Sequence, residues 1–348
     1  MMKRIVLLLL MTLPLASFGQ LITSTAQSPA GLVQNVLLGS GVTVSNITFN
    51  GNPAAIGEFD GSNTNIGLNE GVIITTGTVF NQGTDGPHGP NNVPDGGTDN
   101  NAPGNALLTS LIGAPTFNAA VLEFDFVPYS NSVAFNYVFG SEEYEEYVGS
   151  TFNDVFAFYI IGPGYPSPTN IALLPNNQPV AINNVHNAVS NQFGNFAAAN
   201  SQFYVNNANG ATIQYDGFTQ VLTAEADVQC GQTYRLIICI ADTGDGIYDS
   251  GIFLEANSLS SDTPIEVDYT LTQELFGAPN IMGEGCVSAT VTLDRDPAQS
   301  ASPMNIPINV TGTAIEGVDY SNIPNSVTFA AGQSSLSFTI DAFADGLT

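Results

Sequence analysis

Beyond residue 19 the apolar residues of this chain recur with a period close to two, and the runs are broken by Gly, Pro, Asn and Asp. A two-residue repeat turns alternate side chains to opposite faces, as a strand requires and an amphipathic helix does not. The runs densest in Val, Ile, Phe, Tyr and Thr are Val42–Phe49, Gly71–Thr76, Ala120–Val127, Ser132–Phe139, Asp154–Ile161, Tyr234–Ala241 and Gly251–Ala256, each bounded by turn residues. Helical signal is confined to Ala30–Leu38, after Ser28-Pro29, and Asn105–Ile112, after Pro103-Gly104. The fold expected is all-β: a large, jelly-roll-like β-sandwich rather than alternating βα units. Ser258 to Pro264 reads as a boundary. A second series of strands follows at Glu266–Thr272, Ser288–Leu293, Asn305–Val310, Ser326–Phe329 and Ser335–Ile340. No closing strand pattern precedes Thr348, so this second sandwich is expected to be C-terminally incomplete.

Met1 to Gly19 has the parts of a secretory signal. Lys3-Arg4 form a charged start, Ile5 to Leu15 an apolar stretch broken by Pro14, and Ser17 and Gly19 the small residues of a cleavage site before Gln20. The expected organisation is a leader at 1–19, one sandwich at 20–262 and a second at 263–348. No later apolar run is long enough to span a bilayer, so the mature chain is expected to be exported, secreted or at the cell surface, with no direct membrane span.

The 31 acidic residues face only 4 basic ones, for a net charge of −27, and two of the four are Lys3 and Arg4. Only Arg235 and Arg295 follow the leader. Nucleic acid and anionic lipid are therefore excluded as partners, since both need clustered cations to neutralise phosphates. Hydrophobic residues make up 43% of the chain, too many for intrinsic disorder. Cys230, Cys239 and Cys286 fit one disulfide plus a free thiol or three thiols, and their spacing matches no zinc pattern.

The carboxylates cluster. Asp242, Asp245 and Asp249 fall within eight residues, with Gly244 and Gly246 permitting a tight loop. That composition suits a hard, oxygen-seeking cation such as Ca2+, or equally a solvated Asp-Gly turn capping its own backbone. Glu142, Glu143, Glu145 and Glu146, with Asp154 eight residues on, would repel one another unless solvated or neutralised by a bound metal. A long Gly/Asn/Pro/Asp-rich loop, Phe80 to Gly104, is either functional or loose. His88 and His186 form no paired zinc motif, and no nucleophile elbow occurs. Adjacent glutamates do not establish the two facing carboxylates of a glycosidase. The recurrent aromatics Phe124, Phe126, Phe135, Tyr137, Phe139, Phe156, Phe158 and Phe193 are expected in the core, a sugar-stacking platform being the alternative.

Longer blocks carry a family likeness. They are Leu122-Glu-Phe-Asp-Phe-Val-Pro128, Phe139-Gly-Ser-Glu-Glu-Tyr144, Phe152-Asn-Asp-Val-Phe-Ala-Phe-Tyr159 with Gly162-Pro-Gly164, Tyr215-Asp-Gly-Phe-Thr219, and Ile240 to Gly251. From about Ala30 to Leu259 the chain resembles the choice-of-anchor L domain of exported bacterial surface proteins. That likeness implies a module placed upstream of a cell-surface anchor. Where the family tends to carry Asp ahead of its short helix and before the Leu-Glu-Phe strand, this chain has Asn105 and Asn118. Gly283-Glu-Gly-Cys286, Gly312 to Tyr320, Val327 to Gln333 and Ser337-Phe-Thr-Ile340 resemble a Calx-beta domain. This second likeness implies an immunoglobulin-like sandwich with a calcium cluster at Glu284, Asp319 and Asp345.

Taken together, the expected function is a non-catalytic structural or adhesive surface module stabilised by calcium. Its expected partners are cell-surface or matrix components, glycans among them. A carbohydrate-binding module and an extracellular hydrolase using Glu142, Glu143 or Asp154 are the alternatives.

Overall fold

A computed structural model describes residues 20–80, 86–91, 97–261, 265–273, 281–295, 297, 300 and 303–344. The expected leader, Asp345 and the middle parts of the Phe80–Gly104 loop lie outside these residues.

The first unit is a pair of antiparallel sheets. One runs in the order Ile22–Ser24, Ile56–Asp60, Glu70–Thr75, Ser250–Glu255, Ser132–Ser141, Gly217–Thr219 and Tyr204–Asn206, with Leu222–Asp227 also pairing along Ser132–Ser141. The other runs Val42–Asn50, Thr116–Pro128, Tyr234–Thr243, Val155–Gly162 and Tyr165–Asn170. Pro166 and Pro168 sit in that last strand, an edge position where a missing N–H costs no ladder bond. All seven runs expected of the first unit are strands. The ones missed are mostly short, and their pairing rather than their composition makes them strands.

The core between the sheets is aromatic. Phe158 lies 4.9 Å from both Phe135 and Tyr137, and Phe139 lies 5.2 Å from Phe156, so rings from the two sheets interlock. The outer faces are covered as well. Leu107, Leu108, Leu111 and Ile112 lie over Val121, Ala157 and Cys239, while Ile213, Tyr215 and Phe218 cover Ile73, Val138 and Phe253. Burial on both faces explains why Val155 to Ile160 and Leu236 to Thr243 are buried without interruption rather than alternately. Phe193 departs from the expectation: it is 42% exposed, on the turn between the short strands Val189–Asn191 and Gly194–Phe196.

Both expected helices start where their caps lie. Asn105 accepts from the backbone N–H of Leu107 and Leu108 at 2.9 and 3.2 Å, and the helix Ala106–Ile112 ends on Gly113 at φ 75°. Ser28 caps Pro29–Gly31, after which the backbone widens into a π-helical stretch at Leu32–Leu37 instead of a regular α-helix.

A three-stranded sheet (Glu266–Leu271, Ser288–Asp294, Ser335–Asp341) and a two-stranded one (Met304–Pro307, Ser326–Phe329) follow. They share a small core around Leu293, Met304 and Phe329. Buried Arg295 organises it, donating to the carbonyls of Gln333, Ser300 and Ala330 and lying 4.9 Å from the Phe329 ring. Arg235 instead forms an exposed pair with Asp125 at 2.9 Å. The three cysteines are free thiols. No described helix is long and apolar enough to cross a membrane.

Phe158→Ala removes the ring around which three others pack and should lower unfolding free energy by about 3–5 kcal/mol. Arg235→Ala loses only an exposed ion pair and should cost less than about 1 kcal/mol. Chemical denaturation of the two variants checks the contrast.

Candidate functional site

The sheets come together at one end of the sandwich through four strand termini. Ser132–Ser141 ends beside the start of Ser250–Glu255, with Ser141 opposite Ser250. In the other sheet Tyr234–Thr243 ends beside the start of Val155–Gly162, with Ala241 opposite Val155. The residues just past these termini are Glu142 and Glu143, Asp249, and Asp154, while Asp242 is the next-to-last residue of its own strand. Five carboxylates are thus gathered from both sheets. Among the described residues they are also the only fully buried ones: Glu142 is 4% exposed, Glu143 2%, Asp154 0%, Asp242 2% and Asp249 2%.

Hydrogen bonds meet part of their demand. Asp154 accepts from the Thr243 N–H at 2.9 Å and from the Ser250 hydroxyl, across the sheet gap, at 2.7 Å. Asp242 accepts from the Asn118 amide at 3.0 Å, and that amide also donates to the Gly246 carbonyl. Asp249 accepts from the Thr98 N–H at 3.0 Å, and its own carbonyl takes the Glu142 N–H. Packing is tight: a Cβ at Gly77 would lie 1.6 Å from Asp249 Oδ2. Yet Glu142 Oε2, Glu143 Oε2 and Asp242 Oδ1 are buried with no hydrogen-bond partner. So is the hydroxyl of Thr243.

No cation balances this charge. Arg235 is the only Lys or Arg between residues 20 and 261, and it is held by Asp125. Burial therefore pushes the carboxyls up, and neighbouring negative charge adds to it. Glu142 rises well above the usual range, with Asp216, Asp249 and Glu146 as the facing charges. Glu143 rises through burial and then Asp154, Asp245 and Glu146. Asp242 rises through burial and then Asp154 and Asp249, and Asp154 rises through burial against the pull of its Ser250 and Thr243 hydrogen bonds. Burial also lifts Asp216 to about 7.

The expected residues Asp242, Asp245, Asp249, Glu142, Glu143, Glu146 and Asp154 therefore come together, the first-named loop and the glutamate run meeting across the sheet junction. Asp245 and Glu146 stand at the more exposed rim. Three contributors were not foreseen. Asp216 arrives from the turn before Gly217–Thr219, Gln214 hydrogen-bonds Glu142, and Asn118 donates where an aspartate would only accept. The Tyr-Asp-Gly-Phe-Thr block was the available signal for Asp216. Both described parts of the long Phe80–Gly104 loop are anchored against the cluster and its neighbours. Among the described residues, no three His, Cys, Asp or Glu side chains converge closely enough, as they stand, to ligate one metal ion. In the second unit, Glu284 and Asp319 line one shared concavity of about 360 Å³, and Asp319 accepts from the Ile315 N–H at 2.6 Å.

The raised carboxyls bind protons more tightly in the folded state than in the unfolded chain, so this part of the stability is complete at low pH and is lost on raising it. For Asp216 the loss spans the ordinary 3.8 to about 7, and the more deeply buried groups extend it upward. In chelator-treated protein the melting temperature should fall between about pH 5 and about pH 8, the reverse of a fold held by ion-paired carboxylates. Thermal melts across that range check it. Asn118→Asp, which replaces a donor to Asp242 with another carboxylate, should steepen the fall.

The sequence model of the choice-of-anchor L domain matches residues 21–260, both sheets and every carboxylate of the cluster included. No curated protein matches the chain significantly, and no solved structure does. The chain belongs to the choice-of-anchor L family, whose domain marks an exported, surface-anchored extracellular module.

Proposed function

We propose that the protein is a non-catalytic structural and adhesive module whose first sandwich is held closed by calcium. One observation carries this reading: all the fully buried carboxylates of the described residues gather at a single sheet junction that has no basic side chain. Leaving five such charges unneutralised would cost several kcal/mol per ion. The donor set favours a hard cation with many oxygen ligands, since carboxylates, hydroxyls and the Gly246 carbonyl surround the junction and no thiol or imidazole joins them. Like charges hold the carboxylates apart. Bringing three of them onto one ion requires their side chains to turn inward from where they stand, with carbonyls and water completing its shell.

Burial also counts against hydrolysis. Glu142 and Glu143, at 4% and 2% exposure, are not placed to flank a polymer arriving from solvent. Glycan recognition has its own support in exposed Phe193, whose ring lies 5.9 Å from Tyr147, itself 5.1 Å from Tyr248. Cell-surface or matrix components, glycans included, are the partners that fit. The second unit, read as Calx-beta-like, would add a calcium site at Glu284 and Asp319, with Asp345 outside the described residues.

Calcium at about a hundred times its dissociation constant adds about 2.7 kcal/mol, which corresponds to a rise of about 5–10 °C in melting temperature for domains of this size. Chelator should reverse it. A melting curve indifferent to both sinks the calcium reading. Glycan-array binding lost on Tyr147→Ala would support the aromatic patch as the contact surface, and an empty array would remove it.

A further inference from the structure

We propose that the junction holds two divalent cations, an inner one at Glu143, Asp154 and Asp242 and an outer one at Glu142 and Asp216, with Asp249 and Glu146 facing both. The inference rests on the calcium reading of the same cluster and adds a second site that includes Asp216.

Charge is the first reason. One divalent ion offsets two of the five buried carboxylates when they are ionised, and three negative charges would remain to be neutralised in a dry environment. The second reason is which groups face each other. Glu143 faces Asp154 and Asp245, and Asp154 is hydrogen-bonded to Asp242. Glu142 faces Asp216 and is bonded by Gln214 instead. Asp249 faces both Glu142 and Asp242, and Glu146 faces Glu142, Glu143 and Asp216, so these two carboxylates stand between the groups. Each group also has its own buried, unpartnered oxygens: Glu143 Oε2 and Asp242 Oδ1 on the inner side, Glu142 Oε2 on the outer.

The roof over the cluster divides the same way. Thr98 N–H reaches Asp249, and Ala102 N–H holds the Asn118 amide that bonds Asp242. The earlier part of the loop lands on the outer group. The Asn91 amide donates to Asp216 at 2.7 Å, and the Pro87 carbonyl takes the Gln214 N–H at 3.0 Å. Calcium suits both sites, because every donor offered is oxygen.

Native mass spectrometry of the full chain in calcium counts the ions directly. Asp154→Asn should lose one ion, Asp216→Asn one ion, and the double variant two. A count unchanged by Asp216→Asn, or a double variant that loses only one, overturns the second site while leaving the first. If Asp154→Asn also leaves the count unchanged, the calcium reading itself falls. Asn91→Ala keeps every carboxylate and all the strands, and removes only the amide that orients Asp216. It should weaken one ion's binding about tenfold at limiting calcium. Unchanged affinities would overturn the proposal even if Asp216→Asn failed to fold.

Discussion

The sandwich is closed at one end by groups that repel one another. Four strand termini, two from each sheet, deliver Glu142, Glu143, Asp154, Asp242 and Asp249 into a space with almost no exposure. Just inside it, Phe139 and Phe156 pack 5.2 Å apart across the sheet gap. The hydrophobic core draws the sheets together, and the carboxylates resist that approach unless protons or cations neutralise them. Loops on either side depend on the same junction. The 97–104 segment is tied down through Thr98, Ala102 and Asn100, whose amide reaches the carbonyls of Thr76 and Gly77.

Scarcity of basic residues makes this a property of the whole chain. Arg295 is committed to three carbonyls and a ring, and Arg235 to Asp125 on the surface. Neither is available to the junction. Neutralisation therefore falls to protons, which ties stability to pH, or, on the calcium reading proposed above, to dissolved cations.

Much of this was legible along the chain. The two-residue repeat located the long strands, Ser28-Pro29 and Pro103-Gly104 marked the two helix starts, and the density of carboxylates at 142–154 and 242–249 marked the site's main contributors. Other features were not legible, for identifiable reasons. Asp216 stands in the Tyr215-Asp-Gly-Phe-Thr219 block, but its role in the site comes from the pairing of Gly217–Thr219 with Ser132–Ser141, which brings it opposite Glu142. Asn118 reads as a departure from a family pattern, while in the fold it is a donor to Asp242. Phe193 follows a core-like spacing but lies on a tight turn with its ring outward.

Local chemistry dictated that this chain would be all-β, because side-chain alternation and turn residues act over a few neighbouring positions. It also dictated that any charge cluster would be acidic, because almost no cations exist to be placed. Which carboxylates face each other was decided by strand order, since Ser141 meets Ser250 across more than a hundred residues and Ala241 meets Val155 in the opposing sheet. Burial then turned those groups from surface charge into a demand for protons or metal, an effect of dielectric environment that only the packed sheets create.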